Sequence, residues 1–246
     1  MGDDALLNRR HFIGIAGVMG VGLAAGVLPG GVRAAASSSQ KTKIGIIGSG
    51  NVGSALGRVW VMKGHEVMFS SRSLEDDKAL AAKTGAGASA GTPEQAAKFG
   101  EVVLFAVPYR ALPELGKALA TQLKGKVVID ACNPYPARDG EIANWAREKG
   151  AGLASAELLP GARIVRAFNA VGAARMGAAH EAPGRIGMPI AADDAAASDL
   201  ASRLIRDIGY EPILIGGLDK GKHLVPSGPL SGERPPDEVR KIAASL

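Results

Sequence analysis

The sequence predicts a doubly wound, mainly parallel α/β sheet with a small C-terminal extension and no large helical second domain. Three observations carry this: a glycine-rich turn between a strand and a helix, short apolar runs alternating with helical stretches, and no long helical bundle after them. The turn is the most specific. Lys43-Ile-Gly-Ile-Ile-Gly48-Ser-Gly50-Asn-Val-Gly53 places Gly-x-Gly-x-x-Gly after the apolar strand Ile44 to Ile47 and before the helical stretch Ser54 to Lys63. In such a unit Gly48 permits the tight turn, Gly50 lets the main chain approach a pyrophosphate, and Gly53 lets helix and strand pack closely. Free N–H groups at the helix N-terminus then face the anion. The other reading, a glycine turn with no ligand, loses weight from this context.

The second strand, Glu66 to Ser70, selects the dinucleotide. An NAD site places a carboxylate at its end for the ribose hydroxyls, whereas this chain offers Ser70, Ser71, Arg72 and Ser73. A guanidinium and serine hydroxyls suit a 2′-phosphate, so NADP is the expected cofactor. Against this stands the plain reading of Arg72 as a solvated loop residue.

Helical stretches follow at Glu75 to Thr84 and Pro93 to Lys98, separated by a glycine-rich link. Glu101 to Val107 is a continuous apolar run, the pattern of a parallel strand buried on both faces. Pro108, Tyr109 and Arg110 then fall at its carboxyl end, where such sheets bind ligands. Tyr109 is expected either to pack along the nucleotide with its hydroxyl wet or to cover the next helix as a rim aromatic. Ala111 to Leu123 reads as a helix and Lys126 to Asp130 as a buried strand, ending at Asn133-Pro134, a turn signal placed where a nicotinamide neighbour would lie. Glu141 to Lys149 reads as a helix, Arg163 to Asn169 and Ile186 to Ala191 as strands. Ala195 to Ile208 is a helix ended by Gly209, Pro212 to Ile215 a short strand, and Asp237 to Ser245 a last helix.

Composition narrows the function. With 29 basic and 24 acidic residues spread evenly and few aromatics, nucleic-acid binding has little support. Cys132 stands alone, which rules out an intrachain disulfide; beside a strand end it reads as a buried, inert thiol. The four histidines are scattered, so no metal site is expected. At the front, Asn8-Arg9-Arg10-His11-Phe12-Ile13, a glycine-rich apolar run from Gly14 to Leu28 and Ala34-Ala35-Ala36 have the order of a twin-arginine export signal. The expected organisation is a signal over 1–36, a polar leader over 37–42, an NADP-binding domain over 43–217 and a tail over 218–246 that completes the acceptor site. An exported, periplasmic protein is expected, with an uncleaved N-terminal membrane anchor as the alternative.

Taken together, Ile47 to Gly53, Gly64-His65-Glu66-Val67, Ser70-Ser71-Arg72, Phe105 to Tyr109, Val128 to Pro134, Arg166-Ala167-Phe168-Asn169 and Met188 to Asp194 resemble the family of NADP oxidoreductases that use coenzyme F-420. The resemblance implies a Rossmann-type domain with pyrophosphate contacts from Ser49, Gly50, Asn51 and Val52, and 2′-phosphate contacts from Ser71 and Arg72. It also implies a nicotinamide near Val107, Pro108, Tyr109, Asn133, Pro134 and the turn from Asn169 to Ala173. The implied activity is hydride transfer between NADP(H) and a deazaflavin (coenzyme F-420) or flavin-like acceptor, which needs positioning and no catalytic acid or base. Alternatives are an NADPH-dependent ferric or cupric reductase domain and an NADP-binding module without turnover. Two departures stand out: Glu75-Asp76-Asp77 follows Arg72, and the tail lacks a clear signature. The expected partners are a small-molecule hydride acceptor and the twin-arginine translocation machinery, with no nucleic acid; a homodimer is left open.

Replacing Arg9 and Arg10 together by Lys should retain the chain in the cytoplasm, because paired guanidinium groups are what the export receptor reads. N-terminal sequencing after cell fractionation checks this. Wild type and variant both recovered in the cytoplasm starting at Met1 would remove the signal assignment.

Overall fold

The computed structural model describes residues 41–246. The expected export signal and nearly all of the polar leader lie outside the described residues. The first half comprises β1 (Lys43–Ile47), α1 (Asn51–Met62), β2 (Glu66–Ser70), α2 (Leu74–Thr84), β3 (Ala88–Ala90) and α3 (Pro93–Phe99). Next come β4 (Val102–Phe105), α4 (Leu112–Leu123), β5 (Val127–Asp130), α5 (Pro136–Asp139), α6 (Glu141–Lys149), α7 (Ala151–Leu158) and β6 (Arg163–Arg166). The chain closes with α8 (Ala173–Met176), β7 (Gly187–Ala192), α9 (Ala195–Ile208), β8 (Glu211–Leu214), a 3-10 turn at Leu218–His223 and α10 (Pro236–Ala243). The strands make one sheet in the order β3-β2-β1-β4-β5-β6-β7-β8. Every neighbouring pair is parallel except β6 and β7. The strand order reverses between β1 and β4, and there the sheet opens the crevice in which such folds bind ligands.

The apolar runs are continuous because both faces of the sheet are covered. Ile44, Ile46, Val102, Leu104, Val127 and Ile129 pack into the core under α1 and α9. Their alternates Ile47, Val103, Phe105 and Val128 pack on the other side with Leu119 and Leu123 of α4. Leu56, Val59 and Trp60 give α1 its buried stripe, and the Trp60 indole N–H donates to the Leu204 carbonyl of α9 at 2.9 Å. His65, buried at the start of β2, accepts the Thr42 N–H on Nδ1 and faces Asp207 of α9 with Nε2 at 3.0 Å. Asp194 caps α9 by accepting the Ala197 N–H, while Arg163 grips the same carboxylate with two nitrogens at 2.6 and 2.8 Å. That guanidinium and the cap bonds hold the Asp194 carboxyl well below the ordinary carboxylate range.

Several elements differ from the sequence expectation. β4 and β6 are shorter than the runs that mark them, because Ala106, Val107, Phe168 and Asn169 turn out of the sheet into the crevice. β3 is three small residues on the sheet edge and carries no apolar run to announce it. α7, with the sequence Ala-Gly-Leu-Ala-Ser-Ala-Glu-Leu, has no amphipathic stripe; it forms because small residues let it pack closely on both sides. A Cβ on Gly152 would lie 2.2 Å from the Leu218 carbonyl oxygen, so this helix is where the C-terminal tail docks. Among the described residues no helix is long and apolar enough to cross a membrane.

Candidate functional site

The glycine turn works through three different constraints. Gly48 sits at φ +102°, and a Cβ there would meet the Ala106 carbonyl oxygen at 2.4 Å. Gly53 faces that turn so closely that a Cβ would lie 2.1 Å from the Gly48 carbonyl oxygen. Gly50 is the opposite case. Its φ of −65° suits any residue, yet a Cβ would meet nothing within 4 Å. The space in front of the α1 N-terminus is therefore open, no side chain caps that helix end, and the N–H groups of Asn51, Val52 and Gly53 begin the helix facing it. These residues fit a pyrophosphate.

At the end of β2 the serines are more committed than their sequence suggests. Ser70 is fully buried and donates to the Ile46 carbonyl at 2.6 Å. Ser71 donates to Asp77 Oδ2 at 2.9 Å, and Ser49 of the glycine turn donates to the other oxygen of the same carboxylate. Ser73 is the N-cap of α2, where its side chain accepts the Asp76 N–H. Arg72 alone of this run is exposed.

Beyond the turn, a cleft of about 520 Å³ runs along the carboxyl ends of β1, β4, β5 and β6. Of the expected residues, Asn51, Val52, Val107, Pro108, Asn133, Asn169 and Ala173 line it. Pro134 is buried beside it, and Gly48, Ser49, Gly50, Gly53, Ser71 and Arg72 lie along the turn and loop that continue it. Tyr109 corrects the expectation. Its ring is fully buried, and its hydroxyl is dry, 3.0 Å from Ser155 Oγ and 3.3 Å from the Ala151 carbonyl of α7. Burial, aided by the nearby Asp130 charge, pushes its phenol well above the ordinary value. Tyr109 therefore braces α7 and leaves Pro108 to face the cleft. Cys132 is buried, and burial and Asp130 push its thiol well above the usual range, as an inert thiol requires.

The floor of the cleft hangs on one ion pair. Arg166 and Asp130, at the ends of β6 and β5, are both fully buried and meet at 2.7 Å. The same guanidinium donates to the Cys132 carbonyl at 2.9 Å, to Asn133 Oδ1 at 3.2 Å and to the Leu224 carbonyl of the tail at 3.0 Å. Asp130 in turn accepts the Cys132 N–H at 2.9 Å. Asn133, held by its oxygen, uses Nδ2 to donate to the Asn169 carbonyl at 3.0 Å. Asn169 donates to the Cys132 carbonyl at 3.2 Å, and its buried Oδ1 has no partner among the described residues. An orphaned acceptor in the cleft wall suits an amide donor on a ligand. Before it stands Phe168, a non-glycine residue at φ +67°, clamped edge-on between Trp60 and Tyr210 at centroid distances of 6.4 and 6.2 Å. The left-handed turn ends β6 and swings Asn169 towards the cleft.

Sequence reasoning missed the outer wall. Tyr135 and Arg138 line the cleft, the guanidinium 4.9 Å from the ring centre, with Pro226 and Ser231 of the tail opposite. Arg138 grips the buried Asp139 with two nitrogens and donates to the Asn133 carbonyl at 2.8 Å. Burial raises the Asp139 carboxyl, but the bonds from Arg138 and the Tyr135 and Arg110 N–H groups outweigh it and leave it low. The tail is tied in by the Leu224 carbonyl and by the Gly232 N–H, which donates to the Ala170 carbonyl at 2.8 Å. Among the described residues no carboxylate and no histidine lines the cleft. Among the described residues no group of three or more His, Cys, Asp or Glu is placed to hold a metal.

Residues 43–134 match the family model described as NADP oxidoreductase, coenzyme F-420-dependent. Over this segment the chain is similar to that family. A curated relative, the metalloreductase STEAP3 of Rattus norvegicus, is 29% identical over 185 residues, 75% of this chain and 36% of the relative. The chain thus spans about a third of that relative's length. Among solved structures, a hypothetical protein of Sinorhizobium meliloti is 25% identical at a TM-score of 0.66, covering 79% of this chain and 95% of that one. A protein of Arthrobacter described as an F-420-dependent NADP reductase candidate shares the fold at 23% identity and TM-score 0.64, covering 74% and 87%. The 3-hydroxyisobutyrate dehydrogenase of Mycobacterium tuberculosis shares it at 16% identity and TM-score 0.56, covering 74% of this chain and 57% of the dehydrogenase. The chain spans the whole of the first solved relative nearly, and little more than half of the dehydrogenase. The match covers the nucleotide-binding half of a Rossmann-like α/β fold and likens that half to NADP oxidoreductases.

Arg166→Met should cost about 3–5 kcal/mol in urea unfolding, because it strands the Asp130 charge. Adding Asp130→Leu should recover part of that loss. A double variant no more stable than the single one would show that the ion pair is not what holds the floor.

Proposed function

We propose that this chain binds NADP(H) across the glycine turn and the cleft, and transfers hydride between it and a planar deazaflavin-like or flavin-like acceptor. The observation that supports this most is a cleft open beside the α1 N-terminus and lined, among the described residues, by no carboxylate or histidine. NADPH supplies the hydride, and the protein supplies position. The N–H groups of Asn51, Val52 and Gly53 receive the pyrophosphate, and Arg72 meets the 2′-phosphate. Asn169 Oδ1, unpartnered and buried, accepts from the carboxamide and sets the ring's orientation. Ala106, Val107 and Pro108 form one wall; Pro226 and Ser231 of the tail form another and limit water. Bringing the two reacting carbons to about 3–3.5 Å is the whole of the catalytic task for such an acceptor.

The tail is then the acceptor-side element of a domain over 43–217. We further propose that residues 1–36 direct twin-arginine export, so that a folded, nucleotide-loaded protein reaches the periplasm; an uncleaved, membrane-anchored form is the alternative. The likeness to a metalloreductase favours a second reading, in which electrons from NADPH reach a metal chelate. Stopped-flow oxidation of NADPH against coenzyme F-420, FMN and ferric chelates separates the readings. Rapid oxidation with either planar acceptor is expected. Oxidation with ferric chelate alone would favour the second reading, and binding without turnover for all three would make the chain a nucleotide-binding module.

A further inference from the structure

The buried carboxylate of Asp77 stands behind both loops that would meet the phosphates of the nucleotide. It lies in the first turns of α2, is fully buried, and accepts one hydroxyl proton from Ser49 in the glycine turn and another from Ser71 at the end of β2. The Ser73 N–H donates to Ser71 Oγ at 3.2 Å, so that oxygen is engaged as donor and as acceptor. A serine that gives its proton to a carboxylate presents lone pairs to an incoming phosphate. The negative charge of Asp77 also opposes a second phosphate close by. Ser70 is occupied by the Ile46 carbonyl, which leaves Arg72 as the one cation of the run from Ser70 to Ser73.

We propose that Asp77 is a specificity-determining residue: by turning the Ser49 and Ser71 hydroxyls inward and placing a carboxylate behind the 2′-phosphate loop, it holds the preference for NADPH over NADH low. The chain then accepts both nucleotides. This rests on the nucleotide site proposed above. The pyrophosphate is common to the two nucleotides, so any effect of Asp77 on the glycine turn cancels in the ratio of their affinities. Only the effect on the 2′-phosphate remains.

The test is fluorescence titration of the purified protein with NADPH and with NADH, which reads binding without turnover. Wild type should prefer NADPH by no more than about tenfold, the scale of one charge-assisted hydrogen bond. Asp77→Asn removes the charge and lets an amide N–H donate to a serine; the preference for NADPH should rise by about tenfold, chiefly through tighter NADPH. A wild-type preference beyond about a hundredfold overturns the proposal even if the variant does not fold. So does a variant in which both affinities move together, or in which the ratio shifts towards NADH. Failure of wild type to bind either nucleotide would remove the underlying site, an outcome distinct from an altered ratio.

Discussion

A fully buried arginine is costly, and Arg166 is tolerated because every direction it offers but one is answered. Its partners come from two separate pieces of chain: Asp130, Cys132 and Asn133 at and just beyond the end of β5, and Leu224 in the tail. Only Nε lacks an acceptor. Desolvating two charges consumes most of what their attraction returns, so the pair is weak evidence for stability in itself. Its consequence is geometric. The ends of β5 and β6 are fixed against each other, Asn133 donates to the Asn169 carbonyl while Asn169 donates to the Cys132 carbonyl, and the tail is pulled against the same end of the sheet. A hydride-transfer site that works by position needs a floor of this kind.

That floor was only partly legible in the sequence. The glycine turn could be read outright, since its three glycines answer three steric demands and their spacing follows a strand. The buried strands were legible as apolar runs, although their ends were not: Val107 and Phe168 are as apolar as strand residues, and they leave the sheet for the cleft. Asn133 and Asn169 could be placed at strand ends, but the guanidinium that holds Asn133 and the Cys132 carbonyl could not, because an arginine inside a strand pattern reads as a surface residue. Tyr109 misled for the related reason that a hydroxyl at a strand end looks solvated until Ser155 is found beside it. α7 and β3 were invisible because alanine, glycine and serine carry no periodic apolar signal. Asp77 read only as one of three acidic residues after Arg72, and the fold shows it turned inward.

Family likeness and local geometry bear on different questions. The matched residues end at Pro134, so the family speaks for the nucleotide half, while the acceptor wall of Tyr135, Arg138, Pro226 and Ser231 lies beyond it. Under the proposed hydride transfer, those residues would face the acceptor. The nucleotide half has its own tension, between an arginine suited to a phosphate and a carboxylate placed behind it. Both halves meet at Asn133 and Asn169.

The central claim is that one nucleotide spans the glycine turn, the cleft floor and the tail. Amide hydrogen exchange of the intact protein with and without NADPH tests it most directly. Slowed exchange should appear together in the segments 48–54, 131–134, 168–173 and 224–232, with β8 and α10 unchanged. Protection that spares the glycine turn, or that falls on β8 and α10 instead, would contradict the account.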